Sequence, residues 1–469
     1  MMHEGCHIKL AQLLVCLVCT LQVVSGLVTE EHAARAQELL RENLHATLAH
    51  WHGLRANGGQ KLTMQNFFRT ANKHMHHPAV SFWGIKNNKV FQLNKDGELR
   101  NSSNAMIAEG RPNRGAAETM KSSLWLAIED AASHGVSMPD MVFIYNVADD
   151  PMCGLRLDCS DGKFAPPISL MGLDPSAVPQ PPPPRKPRLF PDILVPIFKN
   201  LGYSRQTTVS LAQHHQNVLN RVGGSPLAWS ERNRIRAESV PWQDKVPQMF
   251  FRGTRYCPTV PLRDKSRSIC PRVHLTNLSI HHQEQLNIMI TGLPPPYLQE
   301  LKDHNWQARR TDVMAEWSKF KYVASIDGIG GSNRVLALFH LGSVVVKQHK
   351  SPYIEWFYNS IKPGVHFETV FKEGPDGTKH FDDAVDLVDK LRTDDAYAKH
   401  LADNGLGFAR NYLTLEVLLV YLRELLLAYK DLFEDMDEYI SRLGDTGSSA
   451  LFMKQAQLWD TDWRTVAAS

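Results

Sequence analysis

Runs of positive charge, tight cysteine pairs beyond the first 26 residues and the standard phosphate-loop signatures are all missing from this chain of 469 residues. Lysine and arginine total 52 against 49 aspartates and glutamates, a formal net charge of +3. That charge forms no stripe able to track a phosphate backbone, which argues against nucleic acid as a partner. With no C-x-x-C pair after residue 26, the cysteines do not have zinc-site spacing. His74, His76 and His77, the pair His214-His215 and the pair His281-His282 lack a second cluster at ligand spacing and read as loop or hydrogen-bonded histidines, so no metal is expected. Clustered carboxylates are equally sparse. Asp149-Asp150 are too few for a metal-held diphosphate, and Asp382-Asp383 and Asp394-Asp395 read as helix starts. Neither G-x-G-x-x-G nor G-x-x-x-x-G-K-[ST] is present. Val466-Ala467-Ala468-Ser469 is not a retention tetrapeptide.

What is present is apolar material, 43% of residues, enough for one large or two medium globular domains. Leu10 to Val24 is an apolar stretch followed by Ser25-Gly26 and then Glu30 and Glu31, so residues 1–26 read as a signal peptide. A signal anchor is the competing reading, weakened by Gln12, Thr20 and Gln22 within the apolar run. Cleavage leaves Cys153, Cys159, Cys257 and Cys270, an even number suited to two disulfides in an oxidising compartment. Local pairing, 153 with 159 and 257 with 270, is simplest among three connectivities. Asn101 and Asn277 head glycosylation sequons, consistent with the lumen of the endoplasmic reticulum or Golgi, or with secretion.

Apolar residues three and four apart predict a helix over residues 31–56. Alternation around Asn87-Asn88 predicts a hairpin over 80–93. A helix is expected over 119–134, then a buried parallel strand over 141–145 whose carboxyl end opens into a loop holding Asp149 and Asp150. Residues 175–191 are proline-rich and read as a polyproline II surface segment. The second half alternates strands and helices, including a helix over 294–310, which implies strand-helix-strand units around a parallel sheet. Leu415, Leu418, Leu419, Leu422, Leu425 and Leu426 then form an apolar helix face.

The stretch Lys321 to Arg334 runs from a strand through Asp327, Gly328, Ile329, Gly330 and Gly331 into a helix from Val335. Such a turn aims backbone N–H groups at an anion, with Ser332 as an N-cap and Arg334 able to bond a diphosphate. An ordinary tight turn is the plain alternative.

Lys321 to Arg334, Leu341-Gly-Ser-Val-Val-Val-Lys347, Tyr353-Ile-Glu-Trp-Phe-Tyr358 and Ile361-Lys-Pro-Gly-Val-His-Phe367 follow one another in this order. Upstream lie Asn146-Val-Ala-Asp-Asp-Pro151 and Phe250-Phe-Arg-Gly-Thr254. Together, over about residues 80–430, they resemble the CAP10-like, Rumi-like family of protein O-glucosyltransferases and xylosyltransferases, glycosyltransferase family 90.

The resemblance implies an α/β fold of GT-B type, with two Rossmann-like domains facing a cleft and C-terminal helices. On that basis residues 27–243 form an acceptor-side domain and 244–410 a nucleotide-sugar domain. Residues 411–445 form a helix packing back on both, and 446–469 a tail. It implies an inverting UDP-sugar-dependent transferase without a metal or other cofactor, acting on a protein or glycan hydroxyl, with glucose, xylose or a related sugar as donor. Asp149 is the implied general base. Arg252, Thr254, Arg263, Asp327, Ile329, Gly330, Gly331, Ser332, Asn333, Arg334 and Glu355 form the implied nucleotide-sugar site. Asp150 stands where relatives often carry an aromatic. Glu355 reads equally as a ribose acceptor or as a surface helix glutamate. A catalytically inactive, carbohydrate-binding relative is the alternative to an enzyme.

Overall fold

In a computed structural model the described residues are 28–56, 61–77, 79–93, 120, 123–124, 127–128, 130–148, 150–178, 189–196, 240–256, 270–291, 307–308, 314–332, 334–373, 380, 382–443 and 449–466. Residues 1–26, with the expected signal peptide or anchor, lie outside them. Among the described residues no helix is long and apolar enough to cross a membrane.

The predicted N-terminal helix is two, α1 (Glu30–Asn43) and α2 (His45–Ala56), followed by α3 (Met64–His74). Asn87 and Asn88 take φ of 50° and 58°, the left-handed geometry that a two-residue hairpin turn demands and asparagine tolerates. They join β1 (Val80–Lys86) to β2 (Lys89–Gln92), with Lys86 opposite Lys89. The described residues between 120 and 133 are helical. β3 (Met141–Asn146) is buried at all six positions. It runs antiparallel to β1 and parallel to β4 (Ile168–Ser169), which is parallel to β6 (Ile193–Leu194). This first sheet, ordered β2-β1-β3-β4-β6, is therefore mixed rather than wholly parallel, because a two-residue hairpin can join only antiparallel strands.

The second sheet is parallel throughout. It comprises β7 (Val246–Thr254), β8 (Leu286–Thr291), β9 (Gln307–Ala308), β10 (Phe320–Ser325), β11 (Val344–Gln348) and β13 (Phe367–Val370), ordered β13-β11-β10-β7-β8-β9. Gln307 and Ala308, expected to be helical, pair instead with β8. α4 (Pro271–His281) links β7 to β8, α5 (Met314–Trp317) precedes β10, and α6 (Val335–Phe339) leads to β11. From β7 the chain builds outward through β8 and β9, then returns to lay β10, β11 and β13 on the other side. The order thus reverses between β7 and β10. In open parallel sheets the crevice at the carboxyl ends of such a strand pair is where ligands bind.

A small antiparallel ladder joins the two halves of the chain: β5 (Gly172–Leu173) pairs with β12 (Tyr353–Ile354). α7 (Asp383–Thr393), α8 (Asp395–Tyr412) and α9 (Leu415–Asp431) follow. Leu418, Leu419, Leu422, Leu425 and Leu426 of α9 are buried, and α9 packs on α1, which buries Ala36, Leu39 and Leu40. After α10 (Met436–Arg442), the stretch expected as a tail contains α11 (Ser449–Gln457). Its Phe452 is fully buried, with its ring 6.2 Å from Phe67, 5.8 Å from Phe68 and 5.3 Å from Phe82. Burial of one such ring is enough to dock a short helix.

Candidate active site at the carboxyl edge of the parallel sheet

The turn after β10 sits at this reversal, beside the carboxyl end of β7. It is pinned from several sides. Gly328 N–H bonds the Gly330 carbonyl at 2.9 Å, and Tyr353 Oη donates to the Ile329 carbonyl at 2.6 Å. Asp327 is 4% exposed and accepts from Ser351 Oγ at 2.6 Å and from the Ser332 backbone N–H. Burial raises its carboxyl above the ordinary range, against the lowering pull of Ser351, Lys347 and Arg272. The N–H groups of Gly330 and Gly331 have no partner among the described residues, and Ser332 Oγ is buried without one. A buried hydroxyl without a partner is costly, and oxygens of a bound anion would satisfy it together with the two amides. Ile329 is 39% exposed at the tip of the turn.

Ser332 does not cap the helix. The cap position falls to Arg334, which makes no side-chain cap bond, and α6 has only five residues. So short a helix has little dipole to offer, leaving anion binding to the turn itself. Gly331 faces the other half of the chain: a Cβ there would lie 2.8 Å from Met171 Sδ and 2.8 Å from Tyr353 Cβ.

The arginines divide between two surroundings. Arg252 spends its guanidinium on the Phe251 and Asn287 carbonyls and on Asn287 Oδ1 at 2.6 Å, lying over the Phe250 ring. Arg334 donates to the Arg252 backbone carbonyl at 2.7 Å and lies over Phe251 and Trp317. Arg272, which carries no signal in the sequence, is 6% exposed. It clamps the ends of both strands, with Nε and Nη2 on the Ile326 carbonyl at 3.1 and 2.9 Å and Nη1 on the Thr254 carbonyl at 3.1 Å. Burial pushes it down to about 10, so it is still charged at neutral pH.

Glu355 is not on a surface helix. It is 3% exposed, follows β12 and accepts from Tyr358 Oη at 3.0 Å. Lys347, at the end of β11, lies close by with its Nζ 3.2 Å from the Tyr358 ring centroid. The signal for Lys347 is present in the sequence as a lysine ending the apolar run Val344-Val345-Val346.

The loop after β3 is fixed within the first half of the chain. Asn146 Nδ2 bonds the Asp150 carbonyl at 2.9 Å and Ser169 Oγ at 3.0 Å. Asp192, also unforeseen, is fully buried and accepts from the N–H groups of Met152 and Cys153, each at 2.8 Å, and from Ser169 Oγ. Burial pushes its carboxyl up to about 7. Asp150 bonds Arg156 at 2.8 Å. Cys153 and Cys159 form the local disulfide expected. Cys270 is disulfide-bonded. Asp149, Arg263, Asn333, Cys257 and Asn101 lie outside the described residues. The Asn277 sequon falls inside α4 rather than on a loop. Among the described residues no group of three or more His, Cys, Asp or Glu could hold a metal ion.

Residues 226–441 match the model of glycosyl transferase family 90. This segment takes in the entire parallel sheet, the turn and the Lys347–Glu355 cluster. Human protein O-glucosyltransferase 1 is 27% identical over 194 residues, 41% of this chain and 44% of that protein. O-glucosyltransferase rumi of Drosophila pseudoobscura pseudoobscura is 26% identical over 208 residues, 42% and 44% of the two chains. Mouse protein O-glucosyltransferase 3 is 24% identical over 296 residues, 63% of this chain and 48% of that protein. The chain thus spans less than half the length of these relatives. Among solved structures, the crystal structure of Anabaena Alr3699/HepE in complex with UDP and glucose aligns with a TM-score of 0.27 at 11% identity. It covers 42% of this chain and 52% of that one, a likeness too distant to carry an argument.

Proposed function

We propose that the chain is an inverting glycosyltransferase of the secretory pathway, moving glucose, xylose or a related sugar from a UDP-sugar to a hydroxyl of a protein or glycan acceptor. The observation that carries this reading is the turn over Asp327 to Ser332, at the reversal of a parallel sheet, with the N–H groups of Gly330 and Gly331 and the Ser332 hydroxyl unsatisfied. The match to glycosyl transferase family 90 covers the same turn.

In this reading the acceptor oxygen attacks the anomeric carbon from the face opposite the UDP group, and that displacement inverts the anomeric centre. Asp149 takes the acceptor proton as the C–O bond forms. The bond to UDP breaks, and the charge gathering on the diphosphate is met by the N–H groups of the turn, the Ser332 hydroxyl and the two arginines that the family resemblance assigns to this task, Arg334 and Arg263. Glu355 accepts hydrogen bonds from the ribose hydroxyls. The route carried over from the family resemblance uses no metal.

The test is incubation of the full chain with a panel of UDP-sugars, with and without acceptor, followed by product analysis. One donor is expected to be consumed, and Asp149→Asn is expected to abolish transfer while leaving UDP binding intact. Turnover of no donor, together with no binding of UDP, would remove the proposal.

A further inference from the structure

Lys347 has no part in the reaction as drawn, yet it holds a costly position. It is 7% exposed at the carboxyl end of a central parallel strand, between Ser325 and Thr369 in register. Its Nζ makes no hydrogen bond among the described residues and rests 3.2 Å from the Tyr358 ring centroid and 5.1 Å from that of Phe367. A buried ammonium without an acceptor is unfavourable, and a methionine would fill the same space at no electrostatic cost. What offsets the cost is the neighbouring negative charge of Glu355 and Asp327.

Glu355 has the complementary problem. At 3% exposure one of its oxygens accepts from Tyr358 Oη and the other has no partner among the described residues. Burial favours its neutral form, and Asp327 pushes in the same direction. Lys347 and the Tyr358 hydroxyl push against them. Tyr358 joins the two groups, presenting its ring to the ammonium and its hydroxyl to the carboxylate. Arg272, the remaining nearby cation, acts on Asp327.

We propose that Lys347 is a positioning residue that keeps Glu355 ionised, so that the unpartnered carboxylate oxygen accepts hydrogen bonds from the ribose diol of the nucleotide. The inference rests on the function proposed above. An ionised carboxylate accepts at both oxygens, whereas the neutral acid gives up one acceptor to its own proton. Removing the Lys347 charge raises the Glu355 carboxyl further, so the variant loses ribose recognition at neutral pH and regains it as pH rises. Burial also lowers the ammonium of Lys347 from its ordinary value. At alkaline pH the native lysine is itself neutral, and the two proteins converge.

UDP affinity of the full chain, measured by calorimetry from pH 6 to 9 for wild type and Lys347→Met, tests this. The ratio of the two affinities cancels titration of the nucleotide. We expect Lys347→Met to bind UDP about tenfold more weakly at pH 7, one pH unit of displacement being one factor of ten, and to come within about threefold at pH 9. An equal loss at every pH, or no loss, overturns the role of Lys347 while leaving UDP binding by the wild type intact. A wild type that binds no UDP overturns the functional reading and this inference with it. Should Lys347→Met fail to fold, Lys347→Gln and the charge-keeping Lys347→Arg decide in the same assay. A loss at pH 7 that shrinks toward pH 9 in Lys347→Gln and is absent in Lys347→Arg supports the proposal, and equal behaviour of the two overturns it.

Discussion

Replacing Gly328 by alanine probes how tightly the turn is built on Arg272. The added Cβ would stand 2.8 Å from Nη2, 2.9 Å from Cζ and 3.0 Å from Nη1 of that guanidinium. Comfortable contact begins near about 3.5 Å, so the guanidinium must retreat by roughly half an ångström. A surface arginine would do so freely. Arg272 is 6% exposed, and its three short bonds to the Ile326 and Thr254 carbonyls all lengthen if it moves. Hydrogen bonds from a charged donor contribute about 1.5–3 kcal/mol each, and weakening three of them in part gives an expected loss of about 2–3 kcal/mol. The assay is urea unfolding of the full chain, read as a lower midpoint at unchanged slope. In an Arg272→Ala background the same glycine substitution should cost about 0.5 kcal/mol or less, since nothing then blocks the methyl group. A Gly328→Ala protein as stable as wild type, or an equal penalty in both backgrounds, would refute the reasoning.

Other expectations are as direct. Asp192 has a carboxyl raised by burial to about 7, so the fold holds a proton there that the unfolded chain releases near pH 4. Its contribution is therefore complete below the unfolded value and is lost as pH rises through about 7; Asp192→Asn should flatten the fall in urea stability between about pH 4 and 7. Phe452→Ala should cost about 3–5 kcal/mol and expose the α11 segment to proteases, as expected when a buried ring is removed from among Phe67, Phe68 and Phe82. Asn88→Val should lose about 1–2 kcal/mol in thermal unfolding, because a β-branched residue is strained at φ 58°.

What the sequence revealed were features whose cause is local. Asn87-Asn88 announces its turn because asparagine accepts positive φ, and the leucines from 418 to 426 announce a buried face through their spacing. The small residues after β10 likewise mark a turn at a strand end. Arg272 was hidden because its partner, the Ile326 carbonyl, lies 54 residues further on. Asp192 meets Ser169 across 23 residues and the loop at Met152 across 40. Ser332 has the right chemistry for a cap, but its backbone N–H is taken by the Asp327 carboxylate and the helix starts later, at Val335. The helix Ser449–Gln457 falls in a stretch read as a tail, and its docking rests on Phe452 and a few neighbours.

The two-residue ladder of β5 and β12 has a mechanical consequence. Leu173 is opposite Tyr353, the residue whose hydroxyl holds the Ile329 carbonyl and whose Cβ closes one side of Gly331. Met171, two residues before Leu173, closes the other side. The first sheet is thus coupled to the second through the same few atoms that shape the turn. A shift of one half against the other is therefore felt at Gly331 through Met171 and Tyr353, so the turn acts as a strain gauge between the two sheets.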